Sequence, residues 1–429
     1  VISSTGALTK DETSTLTLSA ANTYTGATTI DAGTLDVDGT LAQTAVDVAS
    51  GATYDVDATD TVLSIEGAGT IDLTNAALTA GDDNDLEFSG VFNGANDFTK
   101  VGSGTLTLSG DNATASYTGR VIIDDGVVSV AADSNLGNPD TLDADRLTFN
   151  GGTLLITETI TLNTNRGITL STDGGTINVA DTKTVTYDGV ITGSTTFTKD
   201  GNGVLDLGGT NIYTGATNID DGTLQITGAL AQTAVTVASG ATYDSDTTDT
   251  IGSIDGAGAI EINTGTTLTV GGNNTSTTYT GVISGAGNLI KEGTGRLILQ
   301  GANDYTGSTT VSAGYLRVSH NTALGTTDGN TNVANGAALE LSGDIIIGIG
   351  EDLTIAGTGT GEVNDGALIN QSGDNEYQGS ISLSTSDVRI QTRTGSSLII
   401  SGDISNGSID LIIGGNGNTT ISGIVGSGS

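Results

Sequence analysis

The chain has 429 residues, of which 12 are basic and 50 acidic, so its formal net charge is −38. This charge argues against nucleic acid as a partner, because phosphates would be repelled and no basic stripe is present to neutralise them. Cysteine, methionine and tryptophan are absent, and no apolar run approaches the roughly 18 residues that a transmembrane helix needs. The chain begins at Val1 without a secretory leader, so we expect a mature or excised piece of a larger protein.

Short strands are predicted along the whole chain, because apolar side chains alternate with Thr, Ser, Asp or Gly. Examples in chain order are Leu16–Leu18, Leu35–Val37, Leu106–Leu108 and Val235–Val237. This period of two is typical of short, half-buried β-strands, and turns rich in Gly and Asn separate them at intervals of roughly five to ten residues. No stretch sustains a helical period, so α-helix is predicted to be essentially absent.

One unit recurs four times, beginning at Lys10, Lys100, Lys199 and Lys291. It reads Lys–x–Gly–x–Gly–x–Leu–x–Leu, then Asn–x–Tyr–Thr–Gly–x–Thr–x–Ile, then Gly–x–Leu–x–Val. Such a unit can bury its apolar face only against its neighbours, which indicates a solenoid. The predicted fold is all-β, a right-handed parallel β-helix forming an elongated rod with turns of roughly 20 to 25 residues. A string of small β-sandwiches is the alternative.

The sequence also contains a second repeat with a longer period. Residues Leu41–Asp60 (LAQTAVDVASGATYDVDATD) return as Leu230–Asp249 (LAQTAVTVASGATYDSDTTD), 189 positions later. The predicted organisation is therefore a first double repeat module at 1–188, a second at 189–375, and a divergent C-terminal repeat with the edge of the fragment at 376–429.

The repeated motif resembles the autotransporter-associated β-strand repeat, which occurs in passenger domains of large bacterial autotransporters and related surface proteins. The match is good at 199–226 and 291–318, close at 10–37, and looser at 100–130. The resemblance implies a β-helical stalk that is exported through the outer membrane of a Gram-negative bacterium and displayed at the cell surface or shed. It implies little about activity.

Acidic clusters are the candidates for ligand binding. Three clusters are present: Asp55, Asp57 and Asp60; Asp244, Asp246 and Asp249; and Asp82, Asp83, Asp85 and Glu87. The first two clusters are related by the 189-residue offset. Residues i and i+2 of a strand share a face, so the first two acids of each related triplet would present paired carboxylates to Ca²⁺. No EF-hand loop or Gly-Gly-x-Gly-x-Asp nonapeptide is present, so loosely held cations on a solvated face are the alternative. No cofactor is required.

Residues that could suggest catalysis are better explained as turns. Asp124–Asp125 and Asp220–Asp221 each precede a glycine. Strand neighbours point to opposite faces, whereas glycosidases need two carboxylates about 5 to 9.5 Å apart across a cleft. His320 is the single histidine and lies in no nucleophile motif. The sequence therefore predicts no enzymatic activity, and a polysaccharide-degrading β-helix is the weaker alternative.

The leading functional hypothesis is a structural and adhesive surface protein that mediates display, adhesion or fibre formation. A glycan- or Ca²⁺-binding module on the side of the β-helix is the alternative, and Tyr24, Tyr213 and Tyr305 would be either a sugar-stacking ladder or corners that cover the core. Expected partners are surface or matrix glycans and proteins, and further copies joined end to end through exposed strand edges. Segment 320–375 interrupts the repeat most and is where we expect a glycan- or Ca²⁺-binding site, or the site of a polysaccharide-degrading enzyme, if either is present.

Overall fold

The computed structural model describes residues 1–41, 43–230, 232–362 and 365–426. Its contacts divide the chain into two compact units, Val1–Gly215 and Ala216–Ser429. Each unit is a parallel β-solenoid, in which each turn contributes a strand to one continuous sheet and most turns add strands to a second face, a third face or both. We call the continuous sheet of each unit its spine sheet, and the other two its second face and third face; the strands counted below are those of the described residues.

The first unit contains ten spine strands, eight second-face strands and seven third-face strands. Its spine sheet comprises Leu8–Lys10, Thr28–Ile30, Ala45–Val48, Ser64–Gly67, Leu86–Phe88, Thr105–Leu108, Val127–Val130, Thr153–Ile156, Gly175–Val179 and Phe197–Asp200. Its second face comprises Thr15–Thr17, Thr34–Val37, Thr53–Val56, Thr70–Leu73 and Val91–Gly94, then Ile160–Leu162, Thr184–Tyr187 and Val204–Leu207. Its third face comprises Asp60–Val62, Leu78–Ala80, Phe98–Lys100, Val121–Ile123, Asp143–Phe149, Arg166–Leu170 and Ile191–Gly193.

The second unit contains ten spine strands, eight second-face strands and nine third-face strands. Its spine sheet comprises Thr217–Ile219, Ala234–Val237, Ser253–Gly256, Thr277–Tyr279, Arg296–Leu299, Gly314–Val318, Ala337–Ser342, Leu368–Ser372, Val388–Thr392 and Leu411–Gly415. Its second face comprises Thr223–Ile226, Thr242–Ser245, Ala259–Ile262 and Val282–Gly285, then Ile346–Ile347, Asp374–Tyr377, Ser397–Ile400 and Asn418–Ile421. Its third face comprises Asp249–Ile251, Thr267–Val270, Asn288–Lys291, Thr309–Val311, Thr331–Val333, Leu353–Ala356, Ile381–Ser384, Ile404–Ser405 and Val425–Gly426.

Like residues stack in register inside each unit. On the spine sheet of the first unit Leu106 lies beside Val128, which lies beside Leu154 and then Ile177, and all four are buried. The residues between them along each strand point outward and are mostly Thr, Ser or Asp, which is why the sequence alternates with period two. The predicted parallel β-solenoid is therefore confirmed. Within the described residues its one helical element is the 3₁₀-helix Asp133–Leu136.

The Asn of the repeated motif ends a sheet. In the first unit Oδ1 of Asn112 accepts a hydrogen bond from the N–H of Phe92, in the strand before the second face is interrupted. Oδ1 of Asn211 does the same for Ile191, in the last strand of the third face. In the second unit Asn303 accepts from Ile283, again where the second face is interrupted. The side-chain amide thus takes the place of the next strand, whose backbone would otherwise satisfy these groups.

This role explains the longer identity in the sequence. Within the first unit, successive motif copies act on different faces, since Asn112 ends a stretch of the second face and Asn211 ends the third. Only every second copy of the motif is then in an equivalent position, and the sequence repeats most closely over 189 residues. The module boundaries at 188 and 375 stay predictions. Among the described residues no helix is long and apolar enough to cross a lipid bilayer.

Candidate functional site

Asp60 and Asp249, the last members of the two related acidic triplets, point into the core. Asp60 is 2% exposed and its Oδ2 accepts a hydrogen bond from the hydroxyl of Tyr54 at 2.8 Å. Asp249 is 3% exposed and accepts from the hydroxyl of Tyr243 at 2.7 Å. Burial raises the pKa of both carboxyl groups, and these hydrogen bonds oppose the rise. Both residues therefore orient a buried tyrosine rather than face a ligand on the surface.

Asp55 lies on the outer side of the second face, in the middle of a column of carboxylates. The register places Asp36 beside it in the preceding turn and Asp72 beside it in the following turn. Asp36, Asp38 and Asp57 each offer a carboxylate oxygen within 4.8 Å of the others. The fold thus brings the predicted Asp57 together with two acids that the sequence analysis did not select.

We call Asp36, Asp38, Asp55, Asp57 and Asp72 the carboxylate ladder. None of the ion pairs formed by the described residues involves it. Burial, followed by the charges of the neighbouring acids, raises the pKa of Asp55 to about 6. Oδ1 of Asp36 is buried without a hydrogen-bond partner, and Asp57 accepts from Asn75 Nδ2 at 2.5 Å. Several carboxylates at close range are the ligands that Ca²⁺ prefers.

The corresponding column of the second unit has fewer carboxylates. Gln225 stands where the first unit has Asp36, and Thr227 where it has Asp38, whereas Glu261 lies beside Asp244 as Asp72 lies beside Asp55. Nε2 of Gln225 donates to Asp246 at 2.5 Å, and Nδ2 of Asn263 donates to Asp244 at 2.7 Å and also to Asp246. The two predicted Ca²⁺ candidates therefore differ, because two carboxylates of the first copy are replaced by Gln and Thr in the second. Ca²⁺ binding by either copy stays a prediction.

The third acidic group is bound to the next turn of the solenoid. Oδ1 of Asp83 accepts from the hydroxyl of Ser103 at 2.7 Å, and Oδ1 of Asp85 accepts from the N–H of Thr105 at 2.8 Å. These hydrogen bonds lower the pKa of both carboxyl groups. Glu87 accepts from a serine hydroxyl at 2.6 Å in the same way. This group therefore joins adjacent turns.

The lysines of the motif are buried and hold a turn closed. These four side chains are 0 to 4% exposed: Lys10, Lys100, Lys199 and Lys291. Nζ of Lys291 donates to the carbonyls of Glu292 and Gly293, and to the carbonyl of Ala313 in the following turn. Burial lowers the pKa of Lys291 to about 8. The sequence shows the fixed position of these lysines but not their role, which is to bind three backbone carbonyls with one ammonium group.

The tyrosines of the motif are not available to sugars. Tyr24, Tyr213 and Tyr305 are at most 1% exposed. The hydroxyl of Tyr24 lies 2.5 Å from Oγ1 of Thr28, and burial raises the pKa of Tyr24. The sugar-stacking alternative is therefore wrong, and the interpretation of these residues as corners that cover the core is the one that fits.

The residues considered for catalysis serve turns. Oδ1 of Asp125 accepts from the N–H of Gly126 at 2.7 Å, and Oδ1 of Asp221 accepts from the N–H of Gly222 at 2.9 Å. Nδ1 of His320 accepts from the N–H of Thr322 at 3.2 Å. Oγ1 of Thr322 also lies 3.2 Å from the same nitrogen, so both contacts of His320 lie within one turn.

A cavity of about 520 Å³ opens in the second unit where its second face has no strand. Among the described residues no second-face strand occurs between Val282–Gly285 and Ile346–Ile347. Most of the residues that line the cavity belong to segment 321–351. Glu351 is its buried carboxylate, only 4% exposed, and burial raises the pKa of this group to about 7. The volume is within the range of about 300 to 1,000 Å³ that is usual for ligand pockets.

Comparison with known proteins identifies the repeated unit. The passenger-associated-transport-repeat matches at four places, residues 8–37, 98–130, 197–226 and 289–318. The chain is also similar to the adhesin BmaC autotransporter of Brucella suis biovar 1 (strain 1330), with 33% identity over 386 residues. That match covers 79% of this chain and 11% of the relative, so the chain corresponds to a small part of that protein's length.

The four matched segments coincide with the motif copies whose lysine closes a turn and whose asparagine is followed by a buried tyrosine. The resemblance drawn from the sequence is therefore confirmed at the level of the repeat and of the fold. The chain thus contains four passenger-associated-transport-repeats, and it is similar to an adhesin autotransporter over most of its own length.

Proposed function

We propose that this chain is a segment of an exported, non-enzymatic adhesive protein displayed on the surface of a Gram-negative bacterium. The observation that carries the proposal is the 33% identity, over most of the chain, to a protein described as an adhesin autotransporter. The four passenger-associated-transport-repeats on a β-solenoid also support export to the cell surface. The partners would be glycans or proteins of a host, a surface or a matrix.

The chemistry of the described residues fits a role without catalysis. The acid pairs serve turns, the motif lysines bind carbonyls and the motif tyrosines cover the core. The net charge of −38 favours solubility and repels a like-charged envelope. The solenoid would then hold contact surfaces on stacked turns, away from the cell.

Adhesion is tested by coating beads with the purified chain and counting those retained on cultured animal cells, matrix proteins and immobilised glycans. The control is an unrelated β-solenoid of similar negative charge. We expect retention well above this control on at least one of these surfaces. Equal retention of the two proteins on all of them would contradict the proposal.

We propose as a second candidate function that the carboxylate ladder of the first unit binds Ca²⁺. Three of its oxygens lie within 4.8 Å of one another, and Oδ1 of Asp36 is buried without a partner. Two or more carboxylates with no neutralising base suit a hard cation that takes six to eight oxygen ligands. Asp55 is adjacent in the register and supplies further negative charge.

Calorimetric titration with CaCl₂ tests this second function, and the second unit supplies the control. The double change Asp36→Gln and Asp38→Thr copies the residues found at Gln225 and Thr227. We expect saturable binding by the unchanged chain and its loss in the double variant, with MgCl₂ as a control for ionic strength. Binding that is identical in both proteins would place the cation elsewhere.

A further inference from the structure

The interruption of the second face can be compared between the two units, because the chain follows the same path through both. In the first unit Asn138 donates its N–H to the carbonyl of Tyr117, and in the second Thr326 donates to the carbonyl of Tyr305. Asn112 and Asn303 donate from Nδ2 to carbonyls of the following loop, those of Asn135 and Ala323. The loop Asp133–Gly137 therefore corresponds to Asn321–Gly325.

In the first unit an arginine side chain binds the loop Asp133–Gly137. Arg166 is 1% exposed, and its Nε donates to Oδ1 of Asp133 at 2.9 Å. Its Nη1 donates to the carbonyl of Leu136 at 2.8 Å, and its Nη2 to the carbonyl of Gly137 at 2.9 Å. Nη2 also donates to the backbone carbonyl of Asp133 at 3.1 Å, so the guanidinium group binds one carboxylate and three loop carbonyls at once, a pattern that its planar fork of donors allows.

In the second unit the position of Arg166 is taken by Glu351. Arg166 follows Leu162 by four residues, Leu162 pairs with Tyr187, and the hydroxyl of Tyr187 donates to the carbonyl of Arg166 at 2.6 Å. Glu351 follows Ile347 by four residues, Ile347 pairs with Tyr377, and the hydroxyl of Tyr377 donates to the carbonyl of Glu351 at 3.0 Å. The backbone environments match, and the side-chain charge is reversed.

Because Glu351 replaces the arginine, the second unit keeps the loop carbonyls but lacks the guanidinium group that binds them in the first unit. The carbonyls of Leu324 and Gly325, which correspond to those bound by Arg166, accept no hydrogen bond from any described residue. Both residues are buried, and both line the cavity of about 520 Å³ together with Glu351. From the described residues the carboxylate of Glu351 receives one hydrogen bond, donated by Oγ1 of Thr331 at 2.7 Å.

We propose that this cavity binds the guanidinium group of an arginine side chain from a partner protein. The guanidinium would donate to the carboxylate of Glu351 and to the carbonyls of Leu324 and Gly325, as Arg166 does to the corresponding acceptors of the first unit. Buried acceptors need donors, and arginine matches a carboxylate with flanking carbonyls better than the compact ammonium of lysine does. The cavity is larger than one side chain, so neighbouring residues of the partner would enter with the arginine.

The proposal gives the adhesive function a partner chemistry, and it rests on that function only for the identity of the protein that carries the arginine. Binding of a small probe is independent of adhesion. Failure of the probe to bind would remove the arginine site and leave adhesion standing, whereas loss of bead retention alone would do the reverse.

The test is nuclear magnetic resonance titration of the whole chain with L-argininamide and with an acetylated and amidated Gly-Arg-Gly peptide. L-citrullinamide, which has nearly the same shape without the charge, is the matched ligand control. At pH 8 we expect saturable shifts for the amides around the cavity with both arginine probes, with dissociation constants at or below about 10 mM. We expect the peptide to bind more tightly than the single residue.

Two variants locate the site. Glu351→Gln keeps the size of the side chain and should weaken binding of both arginine probes by about tenfold or more, because a charge-assisted hydrogen bond is lost. Asp328→Asn removes an exposed carboxylate near the cavity and should change nothing. Equal binding of citrullinamide, unchanged binding by Glu351→Gln, or no binding of either probe at about 10 mM would each overturn the proposal.

Discussion

The two units interrupt their second faces with the same loop and the same capping asparagine, but with opposite charges at the centre. Arg166 is buried against Asp133 and two carbonyls in the first unit, whereas Glu351 is buried beside a cavity in the second. On the outer face of the strands the difference is the other way round, since the first unit has the carboxylate ladder and the second has Gln225 and Thr227 in place of two of its acids. The backbone plan thus recurs within the chain, while the side chains at two equivalent places give one unit a pocket and the other the carboxylate ladder.

The largest effect is expected from Arg166→Ala. The change leaves the carboxylate of Asp133 and three loop carbonyls without their donor, and breaking a buried ion pair typically costs about 3 to 5 kcal/mol. The free energy of unfolding of the first unit, followed by hydrogen exchange of the loop 133–137, is the measurement. Addition of guanidinium-bearing argininamide should restore part of the protection. A loss below about 1 kcal/mol would mean that Arg166 does not hold the interruption together.

Glu351→Gln should have the opposite sign. The folded pKa of Glu351 is about 7, raised by burial from 4.5 and further by Asp352, while the hydrogen bond from Thr331 opposes the rise. A raised pKa means that the folded state binds more protons, so the stability contributed by Glu351 is present below about pH 4.5 and lost as the pH rises through 7.

The variant lacks this loss and should be more stable than the unchanged chain above pH 7, by roughly 2 to 3 kcal/mol. The other ionisable groups near the cavity are Asp304, Asp328, Asp352, Tyr305 and Tyr377. The tyrosines have raised pKa values and stay neutral over this range. Denaturant unfolding at pH 5 and pH 8 compares the two proteins, and equal stability at both values would contradict the assignment.

Asn112→Ala tests the capping asparagine that both units share. The change leaves the N–H of Phe92 without its acceptor and should cost about 1 to 3 kcal/mol. Asn202 is the control, because its exposed Nδ2 bonds to Asp181 at the surface and its replacement should cost less than about 0.5 kcal/mol. Chemical denaturation measures both. Equal costs would show that the amide is not a substitute for the missing strand.

The smallest effect is expected on the carboxylate ladder. Asp36→Gln with Asp38→Thr removes two of the charges that raise the pKa of Asp55, so that pKa should fall from about 6 toward its ordinary value. Because the ladder is partly exposed, the gain in stability at pH 8 should stay below about 1 kcal/mol and shrink with added salt. A titration of Asp55 followed by carbon-13 resonances checks the shift, and an unchanged pKa would show that burial and the charges of Asp57 and Asp72 set it without Asp36 and Asp38.

The strands and the solenoid could be predicted from the sequence because period two and the repeated motif are local signals. The change of face at successive motif copies could not, since it depends on Asn112 and Asn211 accepting from strands about 20 residues earlier. The near-identity of Leu41–Asp60 and Leu230–Asp249, 189 positions apart, is the sign of this change of face that the sequence contains.

The candidate sites depended on turn length, which varies from 17 residues between Thr53 and Thr70 to 30 between Ile346 and Glu376. Asp36 lies beside Asp55 only because 19 residues separate them in that turn. For the same reason Asp60, which is near Asp55 in sequence, belongs to the core. The equivalence of Arg166 and Glu351 is hidden in the sequence, because loops of different length precede them.

The most direct test of the reversed charge is a crystal structure of the Glu351→Arg protein. If the two interruptions are equivalent, the new guanidinium will turn inward, donate to the carbonyls of Leu324 and Gly325, and fill the cavity as Arg166 fills the first unit. An arginine that points to solvent above an open cavity would contradict the equivalence and, with it, the arginine site.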